Sequence, residues 1–214
     1  MTLEERIDRI VHASEIELAG EAYRGKYELG NMKSITNFIL TKLRNNEGYK
    51  NHSIGNKIIL SKRSAEKLAT HYRSGAAYQK TIAHIPQIIE NMQFLEEMPS
   101  EGDNTKYNKY SYYIIGVNID GESHTILSTV GKMGNEIYYD QNVFDGTPKE
   151  VFAKAENAGD NSKYGRLTKI LQENKKDSWN KNGISPPEPA IQSGFPTAST
   201  SKYTKKSSDV QLKA

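Results

Sequence analysis

Residues 110–144 read YSYYIIGVNIDGESHTILSTVGKMGNEIYYDQNVF, three consecutive β-strands joined by tight turns. The first runs from Tyr110 to Ile119 and is rich in Tyr, Ile and Val, which fit a pleated, half-buried surface. Asp120-Gly121 supplies a two-residue type I′ turn, which needs positive φ at both central positions. Ser123 to Val130 forms the second strand, Lys132 to Asn135 the next reversal, and Glu136 to Tyr139 opens the third. A two-residue turn sets the register. Ile119 then lies opposite Glu122, Val117 opposite His124, Ile115 opposite Ile126 and Tyr113 opposite Ser128, all on one face. The other face pairs Gly116 with Thr125, Ile114 with Leu127 and Tyr112 with Thr129. Both faces are apolar at their middle, so both are expected to be covered. His124, Ser128, Thr125 and Thr129 surround that centre, more polar groups than a packing sheet requires.

The whole chain has 214 residues, enough for one domain with a proper core. Only 36% of them are hydrophobic and the mean hydropathy is -0.74, which implies a modest core with disordered ends. Cysteine is absent, so disulfides and thiolate chemistry are excluded and a cytosolic location is expected. No apolar run approaches a membrane span, and the first residues are unlike a signal peptide. A net charge of +3 permits a nucleic-acid partner without demanding one.

Outward from the meander, Leu3, Ile7, Ile10 and Val11 recur at helical spacing, as do Ile35, Phe38, Ile39 and Leu43. Glycines at 20, 25 and 30 mark a loop between them. Residues 1–48 are therefore read as an N-terminal helical segment. A compact domain over 52–172 follows, opening with a strand at Lys57–Leu60 and a helix capped by Ser61. Its helical face continues through Tyr78, Ile82 and Ile85, breaks at Pro86, and resumes with Ile88, Ile89 and Met92 toward Met98. Short helices are expected over Pro148–Ala155 and Ser162–Gln172. Residues 175–214, rich in Lys, Pro and Ser without apolar periodicity, read as a disordered tail. Strand, helices and meander in this order predict an α+β fold, with helices packed on one face of an antiparallel sheet.

The succession IGNKIILSKRSAEKLATHYRSG, IAHIPQIIENMQFLEEMP and the meander resembles the third of the large polyvalent protein-associated domains. It is also similar to phage members of the barnase–EndoU–colicin E5/D–RelE-like nuclease group. The matching positions are Ser61–Lys67, Ile85–Asn91, Val117–Ile126 and Tyr138–Asp140. Met92 departs from the small residue frequent there, and the chain carries one such domain where many relatives are very large. The resemblance implies a barnase/RelE-like α+β domain in a bacteriophage or mobile-element protein and a metal-independent ribonuclease. The expected partners are RNA and a host or immunity protein, with no membrane and no cofactor, and the expected location is the host-cell cytoplasm or the virion. The alternative is a non-catalytic module that binds protein or nucleic acid.

Such a ribonuclease needs an acid and a base near neutrality, which histidine supplies, and cations for the phosphate. Of five histidines, His12 and His52 lie on the first helix and in a loop. His71 ends a helix, where the dipole alone favours a cation, and His84 precedes the Pro86 break. His124, between Ser123 and Thr125, is the first choice for acid or base, with Thr125 or Ser128 orienting it or the phosphate. Lys62, Arg63, Lys67 and Arg73 form a basic helix face, ordinarily a solvated surface, here assigned to phosphate. The 13 tyrosines offer stacking surfaces, although strand tyrosines more often pack with a wet tip. No histidine pair has metal-ligand spacing, so no metal site is expected.

Overall fold

The computed structural model describes residues 1–71, 74–100, 109–133, 136–159 and 162–181. The meander is as expected. Strands β5 (Lys109–Ile119) and β6 (Glu122–Met133) meet at Asp120, φ 56°, and Gly121, φ 88°, the left-handed pair a type I′ turn demands. All seven cross-strand pairs read from the sequence are present, from Ile119–Glu122 to Tyr112–Thr129. Asp120 also accepts a hydrogen bond from Lys80 Nζ at 2.6 Å, which ties the turn to a helix. Strand β7 (Glu136–Asp145) completes the meander by pairing Glu136 with Met133. The intervening turn lies outside the described residues.

Two strands join this sheet that the sequence reading did not assign. Strand β1 (Ile16–Leu18) runs parallel to Val117–Ile119. Strand β4 (Gln93–Pro99) runs antiparallel to the first half of β5. The second corrects the expectation of a helix reaching Met98. Helix α5 (Ile85–Asn91), opened by Pro86, ends where the buried amide of Asn51 donates to the Ile89 and Met92 carbonyls, at 2.8 and 2.7 Å. Helix-terminal carbonyls need such partners. In β4 the register shifts between Phe94 and Glu96. Leu95 and Met98 consequently reach the same core at a spacing of three, which imitates helical periodicity. Strands β2 (Tyr49–Lys50) and β3 (Lys57–Ile58) form a separate two-stranded ribbon.

Helices cover both sheet faces rather than one. Helix α2 (Met32–Phe38) continues into a π-helical turn over Ile39–Leu43. Helix α3 (Lys62–Thr70) carries the expected Ser61 cap, its hydroxyl accepting from Ser64 N–H at 3.1 Å. Together with α4 (Ala76–Thr81) and α5, these bury Ile35, Phe38, Leu68, Ile82, Ile85 and Ile88 against Tyr113, Ile115, Val117, Ile126 and Tyr139. On the opposite face, α1 (Leu3–Val11), α6 (Pro148–Glu156) and α7 (Gly165–Lys181) bury Leu3, Ile10, Val151, Phe152, Leu167 and Ile170 against Tyr112, Ile114, Leu127 and Phe144. Residues 1–48 thus contribute a helix to each core and a strand to the sheet. Helix α7 runs past Gln172 to Lys181, into the expected tail, because nothing from Arg166 to Lys181 is Gly or Pro and packing has already nucleated it. Residues 182–214 lie outside the described residues.

Two substitutions check this architecture by thermal melting. Asn51→Ala leaves two buried carbonyls unsatisfied and is expected to cost about 1–3 kcal/mol. At roughly 2–4 °C per kcal/mol for a chain of this size, the shift in Tm is readily measured. Gly121→Val places a β-branched residue at positive φ and should cost about 1–3 kcal/mol. An unchanged Tm in either variant contradicts the role given to that residue.

Candidate nucleic-acid interface

Strand β7 is the last strand on its side of the sheet, and α3 lies along its open edge. The hydroxyl of Ser64 accepts from Tyr139 N–H at 2.9 Å and donates to the Ile137 carbonyl at 3.4 Å. A side chain therefore satisfies backbone groups that another strand would otherwise take. This docking sets Arg63, Lys67 and Thr70 beside the second face of the meander, where Tyr110, Tyr112, Thr129 and Tyr138 share one side by register. Arg166, from the first turn of α7, approaches from the opposite wall and donates to Thr129 Oγ at 2.9 Å. These residues and Glu66 line a cavity of about 450 Å³, within the size range of small-ligand sites.

The cavity is electropositive. Three cations line it against one carboxylate, Glu66, which pairs with Lys62 at 3.7 Å on the outside of α3. Among the described residues, neither Lys67 nor Arg166 has a carboxylate within ion-pair distance. Arg63 lies over the Tyr138 ring, 5.8 Å from its centroid. Tyr138 donates to Asp140 Oδ2 at 3.2 Å, and Asp140 Oδ1 sits 3.5 Å from His71 Nε2. That last separation is at the outer limit of a hydrogen bond. Burial by itself would raise the Asp140 carboxyl, but His71, Lys67 and the Gln141 N–H outweigh it and hold it below the ordinary value. Burial, followed by the Asp140 charge, pushes the Tyr138 phenol above its ordinary value, so it stays a protonated donor.

Beyond the His71–Asp140 pair, at the C-terminal end of α3, lies a smaller cavity of about 100 Å³. His71, Ser74, Asn142, Phe144 and Lys163 contribute to its lining. Phe144 stacks on Tyr164 with ring centroids 5.2 Å apart and planes within 16°. The contact holds the segment carrying Lys163 against β7.

The structure brings together only some of the residues singled out from the sequence. Arg63 and Lys67 line the large cavity and His71 borders the small one. Lys62 points its charge to Glu66, and Arg73 lies outside the described residues. His84 contacts the Ala19 carbonyl at 2.9 Å, joining a 3₁₀ turn to the loop after β1. His124 is 5% exposed on the other sheet face, 3.5 Å from Asp145 and 3.9 Å from Glu122, and lines neither cavity. Thr125 is buried and donates to the Gly146 carbonyl, while buried Ser128 pairs with the Tyr139 hydroxyl at 3.2 Å. Alternation along β6 keeps Thr125 on the face opposite His124 and Ser128, so the three do not form one site. Sequence reasoning passed over Asp140, Lys163 and Arg166. Period two along β7 would have joined Asp140 to Tyr138, but no local pattern links residues 163–166 to the meander.

Among the described residues, no group of three or more His, Asp and Glu is placed to hold a metal ion. No helix among them is long and apolar enough to cross a membrane.

The Asp140 carboxylate provides a pH test. A folded-state value below the unfolded one means its stabilisation is complete above about pH 4 and is lost as pH falls through the folded value. Asp140→Asn should therefore unfold at lower urea than the parent at pH 6, with the gap closing at pH 3. An equal gap at both pH values would show that the Asp140 charge does not contribute.

No curated protein and no solved structure matches the chain. The family model described as large polyvalent protein-associated domain 3 matches residues 30–139, which hold α3, the β5–β6 hairpin and most of the floor of the large cavity. The chain belongs to the large polyvalent protein-associated domain 3 family.

Proposed function

We propose that the chain is a bacteriophage or mobile-element protein that binds single-stranded RNA in the large cavity. Arg63, Lys67 and Arg166 engage phosphate, and the half-buried rings of Tyr110 and Tyr138 stack on bases. One observation carries this reading. Cations from two separate helices converge over a tyrosine floor, with a single carboxylate in the lining. Cation–aromatic interleaving of this kind suits an unpaired strand, whose bases are free to stack, and the cavity admits a nucleotide rather than a duplex. The preference for RNA rests on the resemblance to the ribonuclease group.

A second reading is metal-independent RNA cleavage. It is favoured by the His71–Asp140 pair beside the cavity, a histidine with a carboxylate to orient it. In that reading His71, not the buried His124, takes the proton of the 2′-hydroxyl as O2′ bonds to phosphorus, the P–O5′ bond breaks, the leaving 5′-oxygen takes a proton from water, and the cations stabilise the in-line phosphate.

Fluorescence anisotropy with a short labelled RNA, in EDTA, tests binding. Arg63→Ala and Arg166→Ala should each weaken it, and each should flatten the salt dependence by roughly 0.7 in log–log slope per lost phosphate contact. Absence of binding by the parent protein at low salt overturns the proposal. Cleavage should leave 2′,3′-cyclic phosphate ends and, at saturating RNA, fall by about 10²–10⁴ in His71→Ala. Binding without cleavage removes the second reading and leaves a non-catalytic module.

A further inference from the structure

We propose that the small cavity at the C-terminal end of α3 is a second phosphate subsite, so that one RNA strand spans both cavities and crosses the His71–Asp140 pair between them. The proposal rests on reading the large cavity as an RNA site.

The two cavities follow one another along β7 and take side chains from the same three elements, the small one also reaching Tyr78 and Val143 at the strand's open edge. Tyr138, Asp140, Asn142 and Phe144 alternate onto one side of β7, forming a row from the large cavity to the small one. At about 3.3 Å per residue, Tyr138 and Asn142 are about 13 Å apart, more than one phosphate group covers. On one wall α3 supplies Lys67 to the large cavity and its cap residue His71 to the small one. On the other wall Arg166 serves the large cavity, and Lys163, three residues earlier, serves the small one.

Size and lining select the ligand. About 100 Å³ is the share of a few water molecules, too little for a base and sufficient for a phosphate group. The lining side chains of Ser74 and Asn142 have no hydrogen-bond partner among the described residues. The carboxylate nearest Lys163 belongs to Asp145, at 3.9 Å, with both side chains largely exposed, a pair worth little in water. A hydroxyl, an amide, an imidazole and an ammonium thus converge with their donor capacity largely unspent. A phosphodiester satisfies all four.

The test compares uridine monophosphate with a 2′-O-methyl uridine hexamer, which resists cleavage through the 2′-hydroxyl. The parent protein should bind the hexamer more tightly than the monophosphate. Lys163→Ala should weaken the hexamer about tenfold, lower its log–log salt slope by roughly 0.7 and leave the monophosphate unchanged. Asn142→Asp, which places a negative charge in the small cavity, should weaken the hexamer further, whereas Arg166→Ala should weaken both ligands. Hexamer binding that is unaffected by Lys163→Ala, or monophosphate binding that falls equally, overturns the second subsite and leaves the first in place. Failure of the parent protein to bind either ligand instead overturns the RNA reading on which the subsite depends.

Discussion

The hydrogen-bonded register between β5 and β6 underlies every other feature of the molecule. A slip of one residue would send Ile115, Val117 and Ile126 to the side of α1, α6 and α7, and Ile114 and Leu127 to the side of α3–α5. Both cores would be lost together, because each face of the sheet is buried. The register is held by the left-handed pair Asp120-Gly121, and Asp120 fastens it further through Lys80. Its carboxyl lies below its ordinary value because of the Lys80 hydrogen bond, with help from Lys80 charge and Gly20 N–H. The same register places Tyr110, Tyr112, Thr129, Tyr138 and Asp140 on one side, which is the floor of the groove.

Polar residues in the strands divide between two uses. On the α3–α5 face, Ser128, Tyr139, Gln141 and Thr81 form a buried chain of hydrogen bonds, with Tyr139 donating to Gln141 at 2.9 Å and Gln141 to Thr81 at 2.7 Å. Every link is satisfied, so the network orients β7 against β6 and α4 rather than leaving polar atoms stranded. Removing one member would expose its neighbours to the full cost of burial without a partner. On the opposite face, Thr129 positions Arg166, and Asp140 joins Tyr138 to His71. Hydroxyls that look alike in the sequence thus serve packing on one side and the groove on the other.

Much of this was legible in the sequence. The hairpin, its register, the Ser61 cap, the Pro86 break and the α+β order follow from turn chemistry and periodicity, which act over a few residues. Strand β4 was hidden by its bulge, which converts period two into a spacing of three. Strand β1, three residues long, has too little pattern to register. The groove was half legible. Arg63 and Lys67 stood out as a basic helix face, but their meeting with Arg166 depends on how α7 packs, a tertiary fact with no local signal. His124 drew attention because it sits among hydroxyls in the sequence. In the structure it is buried, and alternation along β6 turns Thr125 to the other face.

The groove also has a division of labour along the chain. Its floor and one wall fall largely within residues 30–139, the part that matches the family, while Arg166 and Lys163 come from the segment after the meander. The same later segment carries Val151, Phe152, Leu167 and Ile170, which bury Ile114 and Leu127 on that face of the sheet. The wall that faces Arg63 and Lys67 is therefore tied to the second core: Arg166 and Lys163 can be exchanged as single side chains, but the helix that carries Arg166 cannot be removed without uncovering Ile114 and Leu127.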